Sequence, residues 1–161
     1  MVLRFAEHAR AIVRQAEQEA EEAGSPVIEA EHLLLAMTGE HGSEARDVLA
    51  SAGLDRDGLR AALDREFRQS LSAAGVTLPA GGLPRASGDP ARQAHLAASG
   101  KVVLERAVKA AAGQRQIRPG HLLLGVLGAQ AGTVPRALAL AGVDQACLAA
   151  RARQALERGR P

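Results

Sequence analysis

The stretch Ile28-Glu29-Ala30-Glu31-His32-Leu33-Leu34-Leu35 returns as Ile117-Arg118-Pro119-Gly120-His121-Leu122-Leu123-Leu124, 89 residues later. The same offset links Gly24 to Gly113, Leu49 to Leu138, Gly53 to Gly142, Asp55 to Asp144 and Leu59 to Leu148. It also accommodates Ala9 with Ala98 and Val13 with Val102, so the two copies align without a gap. Self-similarity at one fixed spacing over such a span marks an internal duplication.

Each copy reads as about four helices. Phe5, Ala9, Ile12, Val13, Ala16 and Ala20 recur at helical spacing until Gly24-Ser25-Pro26 interrupts them. The apolar run ending at Met37 is continuous rather than periodic, which predicts a central, buried helix over 29–37. Ser43 and Asp55 stand where N-caps belong, and Gly53 stands where a helix stops. Leu59, Leu63 and Phe67 carry the last helix of the first copy, and Asp144 repeats its cap ahead of Leu148, Ala152 and Leu156. These marks divide the chain into repeat one (1–67), a segment rich in Gly and Pro read as a linker (68–93), and a degenerate repeat two (94–161). Two small repeats with such short apolar faces bury them most easily against each other. The expectation is therefore all-α: two pseudo-symmetric four-helix repeats packed into one compact domain.

Composition agrees. Of 161 residues, 47% are hydrophobic and 24% charged, yet there are only two Phe and no Trp or Tyr. A core of Ala, Leu, Val and Ile suits close-packed helices better than a β-sandwich. The scarcity of rings argues against modules that stack bases or sugars. The single cysteine, Cys147, excludes an internal disulfide and a cysteine-based zinc site, and is expected as a small core residue. No signal-like apolar segment opens the chain, and no run of about 18 apolar residues occurs, so a cytoplasmic setting without membrane contact is expected. The net charge of +2 hides an imbalance: residues 1–67 hold 14 acidic and 7 basic residues, whereas 68–161 hold 4 and 13. Such asymmetry suggests either different partners for the two halves or two solvated faces.

Three motifs together carry a family resemblance. They are Phe5-Ala6-Glu7-His8-Ala9-Arg10, the Ile28–Leu35 run, and Gly53-Leu54-Asp55, the last two repeated at Ile117–Leu124 and Gly142-Val143-Asp144. The chain resembles the N-terminal repeat domain of Clp ATPases, the unfoldase partners of the Clp protease. No G-x-x-x-x-G-K-[ST] phosphate loop accompanies it; Gly81-Gly82 is followed by Leu83-Pro84. The resemblance therefore implies a recognition domain without its motor. Such a non-catalytic module would bind protein substrates, degrons or adaptors for a Clp ATPase and protease. It also implies an alternative, a decoy that sequesters cyclic-peptide antibiotics.

The resemblance points to Glu31 as the carboxylate that pairs with the guanidinium of phosphorylated arginine. A carboxylate can hold a guanidinium bidentately while helix N-termini receive the phosphate. Equally, Glu31 reads as a helix-start glutamate favoured by the macrodipole. Gly120 replaces it in the second copy, so at most one such site survives. Ala6 replaces a small hydroxyl residue expected to reach the phosphate, and Val2, with Phe5 and Glu7 beside it, marks the region where antibiotics would bind. His32 and His121 read as packed histidines bonded to neighbouring backbone. Residues His8, His41 and His95 show no metal spacing, and no cofactor is implied. No arrangement for nucleophilic or acid–base catalysis is visible. Arg115, Arg118, Arg151, Arg153, Arg158 and Arg160 leave a weaker alternative, a nucleic-acid-associated regulator. No recognised reading motif accompanies them.

Overall fold

The computed structural model describes residues 3–80 and 94–159. Repeat one contributes β1 (Arg4–Phe5), α1 (Glu7–Glu22), β2 (Val27–Ile28), α2 (Ala30–Gly39), α3 (Glu44–Ser51) and α4 (Arg56–Ala73). Repeat two contributes β3 (His95–Leu96), α5 (Ala98–Ala110), β4 (Gln116–Ile117), α6 (Pro119–Leu127), α7 (Thr133–Leu140) and α8 (Gln145–Arg158). The all-α reading holds, with helices doing the packing and the strands only two residues long.

The helix starts follow the sequence signals. Ser43 Oγ accepts from the Arg46 amide at 3.2 Å, Asp55 Oδ1 from Gly58 at 2.7 Å, and Asp144 Oδ1 from Cys147 at 3.1 Å. Each satisfies one amide that the helix itself leaves unpaired. Gly53 and Gly142 close α3 and α7 with φ of 76° and 71°, a left-handed conformation that suits glycine. The helix α2 is buried almost throughout, from Leu33 to Thr38, and with α6 it forms the centre of the core. Close approach there uses glycine too: a Cβ at Gly125 of α6 would run into the Val103 carbonyl of α5.

The repeats are clasped by exchange. Strand β1 pairs in parallel with β4, Phe5 opposite Ile117, and β2 pairs in parallel with β3, Ile28 opposite Leu96. Each repeat thus lays its opening strand beside the other's second strand. The Ala6 amide then donates to the Ile117 carbonyl and the Ala97 amide to Ile28, both at 2.9 Å.

This register corrects the ungapped alignment. Leu96, not the residue 89 positions on, takes the place of Phe5, so the first helices correspond at an offset of 91. The buried residues confirm it: Ala9 with Gly100, Ile12 with Val103, Ala16 with Ala107 and Ala20 with Ala111. Ala98 and Val102, matched to Ala9 and Val13 at an offset of 89, are exposed. Repeat two is two residues shorter between its first helix and its second strand; at an offset of 89 Ala98 and Val102 match by identity, but buried Ile12, Ala16 and Ala20 would fall on Lys101, Glu105 and Lys109.

Three further expectations change. The segment read as linker from Arg68 is helical through Ala73, because α4 continues beyond repeat one's last apolar positions. Gly81–Gln93 lies outside the described residues. Cys147 is exposed on α8, on the face opposite buried Leu148 and Ala152, rather than in the core. Phe67, placed on the stripe of α4, is 49% exposed.

Candidate functional site

Crossed strand pairing sets the head of each second-strand helix against the opening helix of the other repeat. Two seams result, related by the pseudo-two-fold. One brings α2 to the head of α5; the other brings α6 to the head of α1.

The first seam is open. A groove of about 520 Å³ runs between α2, α5 and the start of α7. Glu29 and Glu31 line one side; Ala98, Ser99 and Arg106 of α5 and Thr133 of α7 line the others. The α2 head is drawn to α5 by the Ala30 amide, which donates to Ser99 Oγ at 3.2 Å. The α5 head has no side-chain cap, its N-cap being Ala97. Glu31 sits in the first turn of α2, half-buried. Burial pushes its carboxyl up to about 7; its own backbone amide pulls the other way, and Glu29 beside it adds to the rise. Burial, with the nearby carboxylates of Glu29 and Glu66, outweighs the helix-start stabilisation. Perturbation of this kind in a cleft is typical of functional groups.

The second seam is closed. Gly120 takes the place of Glu31, and its amide donates to Glu44 Oε1 at 3.1 Å. The same oxygen lies 3.3 Å from Arg118 Nε. A Cβ at Gly120 would lie 2.7 Å from Leu156 Cγ, so no larger residue fits without displacement.

The expected site residues therefore separate. Glu31 lies at the open seam. Phe5, half-buried against the core, and Ala6 lie beside Ile117 at the closed seam, with exposed Glu7 opening α1 there. Val2 lies outside the described residues. Ala6 thus lies at the other seam from Glu31. Ser99 and Arg106, on the other repeat, were not singled out from the sequence. Only the exchange of strands brings them to Glu31.

Both histidines act as helix-start acceptors. His32 Nδ1 accepts from the Glu29 amide and His121 Nδ1 from the Arg118 amide, each at 2.9 Å. Burial holds both below the usual histidine range; Arg118 adds to this at His121, whereas Glu29 and Glu19 oppose it at His32. Several second-repeat arginines are also engaged: Arg136 with Glu66, Arg118 with Glu44, and Arg151 with the Ser51 carbonyl. Among the described residues, no three His, Cys, Asp or Glu side chains gather where a metal could be held. None of the described helices is long and apolar enough to cross a membrane.

The sequence matches the family described as the Clp repeat (R) N-terminal domain over residues 4–113. No curated protein matches it in sequence. The N-terminal domain of the caseinolytic protease associated chaperone ClpD from Arabidopsis thaliana superposes with a TM-score of 0.70 at 22% identity, covering 98% of this chain and 97% of that one. A structure from a malarial protein secretion system gives 0.71 at 16% identity, covering 97% of each. The Hsp104 N-terminal domain from Candida albicans gives 0.62 at 17%, covering 97% of this chain and 92% of that one. These likenesses extend the fold across repeat two, beyond the last family-matched residue. With the duplicated motifs and the family match in hand, the chain belongs to the Clp repeat (R) N-terminal domain family, whose members are interaction modules of Clp ATPases.

Proposed function

We propose that this domain receives protein segments for a Clp-type unfoldase in the cytoplasm, without catalysing a reaction, and reads an arginine side chain in the Glu31 groove. One observation carries the reading: the half-buried Glu31 carboxylate shares a groove with an uncapped helix head and a guanidinium, Arg106. A guanidinium would pair with Glu31, and an attached phosphoryl group would meet the α5 amides and Arg106. Phosphorylated arginine carries both charges on one side chain and matches both ends of the groove.

The test is calorimetric titration with a short peptide containing phosphoarginine, and with the same peptide unphosphorylated. Saturable binding of the phosphorylated form, weakened at least about tenfold by Glu31→Ala, supports the reading; a salt-bridged hydrogen bond to a charged group of this kind contributes about 1.5–3 kcal/mol. Absence of binding, or binding indifferent to Glu31→Ala, overturns it.

A further inference from the structure

Repeat one buries a carboxylate that repeat two lacks. The side chain of Glu19 on α1 is fully buried and is held by Gln15, Arg56 and Arg60. Arg60 Nη2 lies 3.3 Å from Glu19 Oε2. The carboxylate is near enough to His32 to favour its protonation, against the effect of burial. With the first helices in register at an offset of 91, the counterpart of Glu19 is Ala110. The last helices correspond at an offset of 89, so Gln145 and Ala149 replace Arg56 and Arg60. Repeat two has therefore lost the carboxylate and both of its cations, while keeping the imidazole as His121.

A pocket of about 260 Å³ stands in that place, between the ends of α5 and α8. Ala110, Gln114, His121, Arg153 and Glu157 are among the residues that line it. His121 is fully buried, and its Nε2 has no hydrogen-bond partner among the described residues. Its Nδ1 accepts from the Arg118 amide at 2.9 Å, so the ring, which burial keeps neutral, carries its proton on Nε2. That nitrogen is a donor and has no lone pair left for a metal. A buried donor without an acceptor is costly and rare. Arg153, exposed and one turn beyond Ala149 on α8, brings a cation to the same pocket. Half-buried Gln114, just after α5, adds an amide donor.

We propose that the pocket between the ends of α5 and α8 is a carboxylate-binding site, in which a carboxylate from outside the chain takes the place that Glu19 fills in repeat one. One of its oxygens accepts from His121 Nε2–H, and the other meets the Arg153 guanidinium, with Gln114 as a further donor. Glu157, exposed on α8, opposes the ligand's charge. A small free acid and the C-terminus of a peptide both offer this chemistry. The pocket shares no lining residue with the Glu31 groove, so it stands whatever that groove takes.

The experiment follows the ring resonances of His121 by nuclear magnetic resonance while the full chain is titrated with sodium propionate at constant ionic strength. A saturable shift is expected at His121, with His32, whose repeat already holds Glu19, unmoved. Ala110→Glu restores the internal carboxylate from an exposed position and is expected to weaken propionate at least about tenfold. Arg153→Ala is expected to weaken it about two- to fivefold, as befits an exposed cation. Glu157→Gln removes the opposing charge and tightens binding. Acetyl-alanylalanine and its C-terminal amide distinguish the sources: the acid binding more tightly than propionate identifies a peptide C-terminus, and the reverse identifies a small free acid. No saturable shift in either wild type or Glu157→Gln overturns the proposal. So does a shift that Ala110→Glu leaves unchanged, one that His32 shares, or equal binding of the dipeptide and its amide.

Discussion

Glu66 of α4 and Arg136 of α7 join the two repeats: Arg136 Nε donates to Glu66 Oε1 at 2.7 Å across 70 residues of sequence. The carboxylate is 4% exposed. Burial pushes its carboxyl up, but hydrogen bonds from Ser70 and Arg136 together overcome this and hold it below the usual range. Removing Arg136 strands a buried charge, which costs more than losing a surface pair. Arg136 is itself half-exposed, so solvent takes up part of the loss. Arg136→Ala is expected to destabilise by about 1–2 kcal/mol. Glu66→Gln, which can still accept from Ser70, is expected to cost less. A double-mutant cycle in urea checks the coupling; additivity would deny it.

Gly120 is held small by its neighbours. The Cβ of Gly120→Ala would sit 2.7 Å from Leu156 Cγ and 3.2 Å from Glu44 Cγ. Overpacking of this kind costs about 1–3 kcal/mol. Gly39, at the end of α2, has no neighbour within 4 Å of where a Cβ would lie and no positive φ. Gly39→Ala is therefore expected to be neutral or slightly stabilising. Thermal melts of the two variants should move in clearly different directions or amounts. Equal behaviour would show that Leu156 yields freely.

Cation binding in the groove should depend on pH through Glu31. The carboxyl, pushed up to about 7, is only partly ionised near neutrality, and a bound guanidinium requires it ionised. Affinity for an arginine-bearing peptide is expected to rise as pH goes from 6 to 8, with proton release on binding. Titration in buffers of different ionisation enthalpy measures that release. A pH-independent affinity, or one unchanged in its pH dependence by Glu31→Gln, contradicts the assignment.

Acid stability carries opposing contributions. His32 and His121 are held below their unfolded value near 6.5, so their contribution is full above that pH and is lost as pH falls through the lowered folded values. Glu31 is raised, so its contribution is full below about 4.5 and is lost as pH rises through about 7. His8, raised by its hydrogen bond to Glu40, adds to the Glu31 side of the balance; in a Glu31→Gln, His8→Asn background the effect of the two buried histidines should stand alone, and the urea midpoint should fall steadily from pH 7 to pH 5. A flat midpoint there would mean that the buried imidazoles accept protons at no cost.

The duplication, the helix caps and the buried runs were legible because they depend on local rules. Ser43, Asp55 and Asp144 cap as their chemistry dictates. Cys147 and Phe67 were misplaced because a residue's type does not say which side of its helix meets the core. The two-residue shortening of repeat two is masked by the identities of Ala9 with Ala98 and Val13 with Val102, although at that offset Ile12, Ala16 and Ala20 meet Lys101, Glu105 and Lys109. Backbone pairing of Phe5 with Ile117 was needed to resolve it.

The candidate site was half legible. Glu31 and the loss of its counterpart at Gly120 can be read from the chain, as can the imbalance of charge between the halves. That imbalance acquires a structural role in the fold: Glu66 with Arg136, and Glu44 with Arg118, each set an acid of repeat one against a base of repeat two.

The sequence by itself determined the family, the helices and the one retained carboxylate, because spacing and residue type are properties of the chain. Only the tertiary structure decided which neighbours that carboxylate has. The strands cross between repeats, so the residues that share a groove with Glu31 come from α5 and α7, whereas at the head of α6 Arg118 pairs with Glu44. Which groups share a seam is a consequence of long-range pairing, and no local pattern encodes it.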